Sequence, residues 1–129
     1  MFNELIKMAE QQDEPQRLLF LFSKADSGSD KPATEKHPKN GTIEPKMCVD
    51  KLPTELSSFE ALVKEADGIN NDWNFVFIAG LSGQNGQAPT TEMADPYLNK
   101  MTNDVVTGQN IANYVVLDRK GQPIELMPS

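Results

Sequence analysis

The sequence has few of the residues that most often carry chemistry. Its 129 residues include one cysteine, Cys48, one histidine, His37, and one tryptophan, Trp73. A single cysteine excludes an internal disulfide and a thiolate metal cluster, and it suits a reducing compartment. A single histidine excludes a three-histidine metal site. A site of carboxylates alone, from Asp50, Glu92 and Asp118, stays open but has no supporting spacing pattern, so we expect no resident metal or cofactor.

Long hydrophobic runs are also lacking. Runs such as Leu18–Phe22 span at most five residues, whereas a membrane-spanning helix needs about 20. No cationic start is followed by an apolar stretch, so we expect no signal peptide and a cytoplasmic location.

Bases are scarce in one part of the chain. From Leu52 to Asp118 there are nine acidic residues and two lysines, so this window carries the whole net charge of −7. Such charge repels phosphate backbones and anionic lipids, and we expect neither nucleic acid nor a membrane as partner. Two interpretations stay open: a solvated acidic surface, or a docking face for a protein partner with a basic surface.

The apolar pattern predicts alternating helices and strands. Helices are predicted over 2–12, 57–68 and 95–108, and strands over 17–23, 46–50, 73–79, 112–117 and 122–127. Strand–helix–strand order implies crossovers and at least some parallel pairing. We therefore predict a single α/β domain, with a mixed sheet of about five strands, about three helices packed on it, and a C-terminal β-hairpin.

Local signals mark the ends of these helices. Ser57 and Glu60 form a capping box, and Gly68 is typical of a helix C-terminus. Asp95 and Pro96 provide an N-cap and a first helical residue, which leaves Thr90–Ala94 as a separate turn.

The segment from about 25 to 46 differs in composition from the rest. Glycine, proline, serine, lysine and aspartate dominate it, and its apolar residues are Ala25, Ala33 and Ile43. Such a segment cannot bury enough surface to order itself. We predict a mobile polar loop or insertion here, with His37 inside it.

The most informative feature is Gly80–Pro89, which reads Gly-Leu-Ser-Gly-Gln-Asn-Gly-Gln-Ala-Pro. It follows a buried strand and leads to a helix-start signal at Thr90. Such a turn can present backbone N–H groups and a helix N-terminus to an anion. The candidate ligand-binding residues are therefore Gly80, Ser82, Gly83, Gly86 and Thr90.

The Gly80–Pro89 loop lacks the companions that known motifs need. No lysine follows Gly86, which excludes a P-loop, and there is no dinucleotide fingerprint. The serine-hydrolase elbow requires glycine where Gln84 stands, and its histidine should follow Ser82 rather than precede it as His37 does. The loop is then either a flexible polar connection or a site for a small polar or anionic ligand.

Cys48 is the alternative catalytic candidate. It lies on a predicted strand, so we expect it to be mostly buried as a small apolar residue. As a nucleophile it would need a base or a nearby positive charge, for which Lys46, Lys51 and His37 are the local candidates. Backbone N–H groups of the glycine loop would then hold the oxyanion.

A resemblance is carried by five segments: Glu14–Phe20, Met47–Lys51, Ser58–Val63, Ala79–Gly83 and Ala88–Thr90. They resemble a family of small bacterial proteins that often carry the description "ribonucleotide reductase subunit alpha". The resemblance implies a bacterial cytosolic protein and transfers no catalytic residue. With one cysteine, the chain cannot supply the radical cysteine and the cysteine pair of that enzyme's catalytic subunit.

We therefore predict a non-catalytic cytosolic binding or adaptor module that acts through an acidic face or through Gly80–Pro89. A small thiol-dependent enzyme using Cys48 is the first alternative. A structural subunit that dimerises through its edge strand Gln122–Met127, or an accessory factor of ribonucleotide reductase, is the second.

Overall fold

The computed structural model describes residues 2–26, 42–108, 111 and 114–124. This part of the chain contains three helices and four strands, with one 3₁₀ turn at Pro53–Glu55. Their bounds are α1 Phe2–Glu10, β1 Gln16–Asp26, β2 Thr42–Lys51, α2 Phe59–Ile69, β3 Phe75–Ser82, α3 Thr91–Thr107 and β4 Val115–Asp118. The helix and strand content agrees with the predicted α/β class.

The four strands form one sheet in the order β2-β1-β3-β4, and all three pairings are antiparallel. The predicted parallel pairing is therefore wrong for the described strands. The physical reason lies in β1. Strands β2 and β3, which flank α2 in sequence, do run parallel, but β1 lies between them and pairs with both. A helical connection thus joins strands that are not neighbours.

The predicted C-terminal hairpin is present at its turn. Gly121 has a φ of 82° and donates to the Asp118 carbonyl over 3.0 Å. Ile124 then donates to the Val116 carbonyl, and Pro123 forms a single bridge with Leu117. Of the predicted strand 122–127, the described residues 122–124 form no regular strand, and the rest lies outside the described residues.

Strand β1 supplies both halves of the core because its side chains alternate between two apolar faces. Leu18, Phe20 and Phe22 pack with α1 and α2. Leu19 and Leu21 pack on the other face with α3. The sheet is therefore covered by helices on both faces, as expected for a central strand that is apolar throughout.

Two helix starts differ from their predicted positions. Helix α2 is capped by Ser58, whose hydroxyl accepts from the Ala61 N–H over 3.0 Å, one residue after the predicted cap. Helix α3 begins after Thr90, whose side chain accepts from the Met93 N–H. Pro96 consequently lies inside α3 rather than at its first residue. A hydroxyl three residues before a free N–H is a sufficient cap, whereas Pro96, as the sixth residue of α3, has no N–H to donate to the helical ladder.

Two helix ends also provide a test of the glycine signals. Helix α2 continues through Gly68 to Ile69, and Asn70 is its C-cap, so the predicted end is wrong by a residue. Helix α3 ends at Gly108, as predicted, in a left-handed conformation with a φ of 76°. Glycine marks a helix end only where the backbone adopts that conformation.

The polar segment predicted as a loop over about 25–46 is shorter at both ends. Strand β1 continues to Asp26, and β2 begins at Thr42, opposite it in the antiparallel ladder. Backbone pairing extends this ladder past the last apolar positions, so composition underestimated the strands. The remainder, 27–41, lies outside the described residues.

Candidate functional site

The Gly80–Pro89 loop turns back on itself. Gln84 and Gln87 exchange two backbone hydrogen bonds of 3.0 Å. Between them, Asn85 and Gly86 have φ values of 55° and 76°. Two successive positive φ angles are typical of a type I′ hairpin turn, in which asparagine followed by glycine is the preferred pair.

The structure distributes the predicted ligand-binding residues over three elements. Gly80 and Ser82 are exposed residues at the end of β3, paired with Leu18 and Gln16. Gly83 and Gly86 lie in the loop, and Thr90 caps α3. The hydroxyl of Thr90 is therefore engaged in its own helix start rather than directed at the glycines.

The chain itself binds the N–H groups of both loop glycines. Gly83 donates to the Pro15 carbonyl over 2.8 Å, and Gly86 donates to Oε1 of Glu14, also over 2.8 Å. A carboxylate of the protein thus lies where an anionic ligand would bind Gly86. Gly83 is buried, and a Cβ there would lie 1.9 Å from the Gln87 carbonyl oxygen, so this position accepts no side chain.

A second anchor holds the other end of the loop. Arg17 donates from Nε to the Pro89 carbonyl and from Nη1 to Asp50 Oδ2, each over 2.6 Å. Thr91, the first residue of α3, donates to the same Asp50 oxygen over 2.8 Å. The two charged side chains are 13% and 15% exposed. Since neither ion is left unpaired, the network fixes the loop instead of offering a free charge.

A cleft of about 360 Å³ lies between the C-terminal end of α1, the turn before β1, the 3₁₀ turn and the glycine loop. We call it the α1 cleft. Five of its ten lining residues are apolar, namely Ala9, Pro15, Leu52, Pro53 and Ala88. The glycine loop therefore borders a cleft through Ala88, whereas Cys48 does not line it.

The other five lining residues are polar, and none is basic. They are Glu10, Gln12, Asp13, Gln16 and Thr54. Sequence reasoning missed this group because its members come from two segments, 10–16 and Thr54, that no local pattern connects. A signal was available in Asp13-Glu-Pro15, which cannot continue a helix and so places polar side chains just after the C-terminal end of α1.

Cys48 is exposed rather than mostly buried, which corrects the prediction. Strand β2 is at the edge of the sheet, and its residues Met47 and Val49 pack on the α1 and α2 side. Partial burial of the sulfur raises the pKa of the Cys48 thiol, the charge of Asp95 raises this pKa further, and the hydrogen bond with Thr102 opposes both. The thiolate needed for nucleophilic attack is disfavoured.

The bases proposed to activate Cys48 are bound elsewhere. Lys46 pairs with Glu44 and Asp72 at 3.3 Å, and Lys51 pairs with Glu65 at 2.9 Å. His37 lies outside the described residues. Of the predicted candidates, the two that are described, Lys46 and Lys51, are therefore paired with carboxylates rather than placed to activate Cys48.

The acidic window of the sequence does not form one acidic face. At least four of its nine acids make ion pairs with bases: Glu65 with Lys51, Asp67 with Arg119, Asp72 with Lys24 and Lys46, and Asp104 with Lys100. Most of these bases come from outside the window. The helices that carry many of the acids, α2 and α3, lie on opposite faces of the sheet.

Among the described residues, no group of three histidine, cysteine or acidic side chains is arranged to hold a metal ion. None of the helices in this part of the chain has the length and apolar character needed to cross a bilayer. Comparison of the chain with protein-family profiles, with curated proteins and with solved structures finds no match in any of the three. The function is therefore argued from the geometry of the site.

Proposed function

We propose that the protein is a non-catalytic binding module of the bacterial cytoplasm and that the α1 cleft is its binding site. The observation that supports this is the cleft itself, about 360 Å³ and lined by five apolar and five polar residues. Ligand sites in proteins commonly combine these features in volumes from about 300 Å³ upward.

The way the cleft is built favours binding. The neighbouring loop is attached to the turn before β1 through Glu14 and Pro15, and to β1 through Arg17. Ala88, which lines the cleft, lies between these attachments. A wall held from both sides is pre-organised, and pre-organisation lowers the entropic cost of binding.

The residues of the cleft argue against catalysis. Its ten lining residues include no cysteine, histidine or lysine, and Thr54 has no base among its hydrogen-bond partners. Covalent catalysis requires a nucleophile and a base within hydrogen-bonding reach. Cys48 does not line the cleft and its pKa is raised. This geometry therefore does not support the alternative of a thiol-dependent enzyme.

The test uses two matched tryptophan variants. Thr54→Trp fills the α1 cleft, whereas Asn71→Trp adds the same side chain at an exposed position outside it. A library of metabolites and short peptides is screened by amide chemical-shift mapping on the wild-type protein. Hits should shift the amides of Gln12, Gln16 and Thr54, persist in Asn71→Trp and disappear in Thr54→Trp. Hits that map elsewhere, or that survive Thr54→Trp, would show the proposal to be wrong.

A further inference from the structure

Unlike many other acids in the chain, the two acids of the α1 cleft have no partner among the described residues. Glu10 and Asp13 are exposed, and neither makes an ion pair or a side-chain hydrogen bond with another described residue. By contrast, Glu14 in the same turn binds the Gly86 N–H. The cleft therefore carries two available negative charges and no positive one.

The uncharged polar groups add to this preference for a cation. Gln12 donates from its amide nitrogen to the Met8 carbonyl over 3.0 Å, and Gln16 donates likewise to the Glu14 carbonyl over 3.1 Å. In each amide one N–H donates to the protein, while the carbonyl oxygen can still accept a hydrogen bond. A ligand rich in N–H donors matches these acceptors.

The backbone also favours a cation. Ala9 and Glu10 are at the C-terminal end of α1, where the helix dipole places partial negative charge. The same cleft is lined by apolar residues that include Pro15, Leu52 and Pro53. A side chain with an aliphatic stem and a cationic head matches this mixed lining, as lysine and arginine side chains do when their stems cover apolar surface.

We infer that the α1 cleft binds a lysine or arginine side chain presented by a protein partner with a basic surface. The inference rests on the proposed function and names the partner of the same site. Charge complementarity supports it, because the lining residues include two carboxylates and two amides and none of the ten is basic.

The test compares peptides that differ only in charge. Acetyl-Ala-Lys-Ala-amide is titrated into the full chain beside its neutral analogue with norleucine, at low salt, and affinity is read from amide shifts. Two exposed carboxylates should make the lysine peptide bind about three- to tenfold more tightly. High salt should bring the ratio close to one, because ions screen exposed charges.

Two double variants distinguish an effect of the carboxylates in the cleft from an effect of the net charge of the protein. Glu10→Gln with Asp13→Asn should abolish the preference for lysine while both peptides still bind. Glu60→Gln with Glu92→Gln changes net charge equally at exposed positions outside the cleft, and the preference should persist. Because all four residues are exposed, neither double variant should affect folding.

Each remaining outcome has a definite meaning. Equal binding of lysine and norleucine peptides overturns the inference and leaves the proposed function standing. Failure of both peptides, with no other hit in the cleft, overturns the two together. Butylamine, the lysine side chain without its backbone, is the last arm. If it binds as tightly as the lysine peptide, a free amine and not a protein is the ligand, and the inference is wrong.

Discussion

The carboxylate of Glu14 accepts a hydrogen bond of 2.8 Å from the N–H of Gly86, 72 positions further along the chain. This contact joins the turn before β1 to the tip of the Gly80–Pro89 loop. The neighbouring bond from Gly83 to the Pro15 carbonyl lies on the same seam. Since the turn and the loop both line the α1 cleft, the shape of that cleft depends on the seam.

Replacing Glu14 tests this dependence directly. Glu14→Ala should lower the free energy of unfolding by about 1 kcal/mol, because a hydrogen bond to a charged acceptor is lost at a partly exposed site. Exchange of the Gly86 amide hydrogen should speed up more than that of the core amides. Urea unfolding and hydrogen exchange measure the two effects. Glu10→Ala, at an unpaired acid nearby, is the control and should leave Gly86 unchanged.

Gly83 and Gly68 should respond in opposite ways to the same substitution. An added Cβ at Gly83 would lie 1.9 Å from the Gln87 carbonyl oxygen and 2.9 Å from that of Pro15, whereas at Gly68 it meets nothing within 4 Å. Gly83→Ala should therefore cost about 3 kcal/mol. Gly68→Ala, inside α2, should stabilise by ~0.5–1 kcal/mol. Denaturant midpoints decide the matter, and equal effects at both positions would contradict the close approach at Gly83.

The sequence was informative where structure depends on neighbouring residues. The double apolar alternation of β1 and the left-handed end at Gly108 follow from steric and burial rules that act locally. The order of the strands does not, because placing β1 between β2 and β3 depends on packing energies summed over the whole sheet. The exposure of Cys48 is a consequence of that order, since it follows from the edge position of β2.

The α1 cleft could not be predicted from local sequence patterns for a similar reason. Its walls come from segments around Ala9, Leu52 and Ala88, and no spacing rule relates positions that far apart. The glycines predicted the loop, but no local pattern predicted that Arg17 binds it. A lone arginine at the start of an apolar strand shows that a partner is needed, but it does not name Asp50.

The bond between Tyr114 and Asp104 should make stability depend on pH at the alkaline end. Asp104 is buried, and the Tyr114 hydroxyl donates to it over 2.6 Å. Burial, the hydrogen bond and the charge of Asp104 raise the pKa of Tyr114 from 10 to about 12. Because the folded state holds this proton more tightly, the contribution is complete below pH 10 and is lost as the pH rises to about 12.

Titration of tyrosinate absorbance in the Tyr97→Phe background isolates Tyr114 and should give a midpoint near 12. Tyr114→Phe should lower stability by about 1 kcal/mol at neutral pH. Its deficit relative to the parent should disappear at the alkaline end. A midpoint at 10 in the folded protein would contradict the role assigned to Asp104.

Arg119 should stabilise the region around the single tryptophan. Its guanidinium lies 4.1 Å from the centre of the Trp73 ring and donates to Asp67 over 2.6 Å, while the Trp73 indole donates to the same carboxylate. Arg119→Ala should cost about 1 kcal/mol and alter tryptophan fluorescence. Arg119→Lys should recover only part of the loss, because lysine lacks the planar fork.

The cluster of Arg119, Trp73 and Asp67 should also make stability depend on pH at the acidic end. The hydrogen bond from Arg119, helped by that from Trp73 and opposed by desolvation, lowers the pKa of Asp67 from 3.8. The contribution of this group is present above pH 3.8 and is lost as the pH falls through the lower folded value. The stability difference between the parent and Asp67→Asn should therefore shrink below that pH. A difference that stays constant through the acid range would show that the ionised carboxylate is not what stabilises the cluster.

Cys48 should react with thiol reagents in the folded protein, but slowly. It is exposed, so access is available, while partial burial of the sulfur and the charge of Asp95 raise its pKa above 9. Only the thiolate attacks, so the rate of iodoacetamide alkylation at neutral pH should fall below that of a free cysteine peptide. The pH profile of the rate should have its midpoint above 9.

Asp95→Asn provides the internal control for Cys48, since it removes the charge and should speed alkylation about twofold. Thr102→Val removes the opposing hydrogen bond and should slow it. Cys48→Ser should leave peptide binding in the α1 cleft unchanged. A fast reaction with a midpoint near neutrality would instead revive the thiol enzyme, because it would require an activating base near Cys48 that the described residues do not provide.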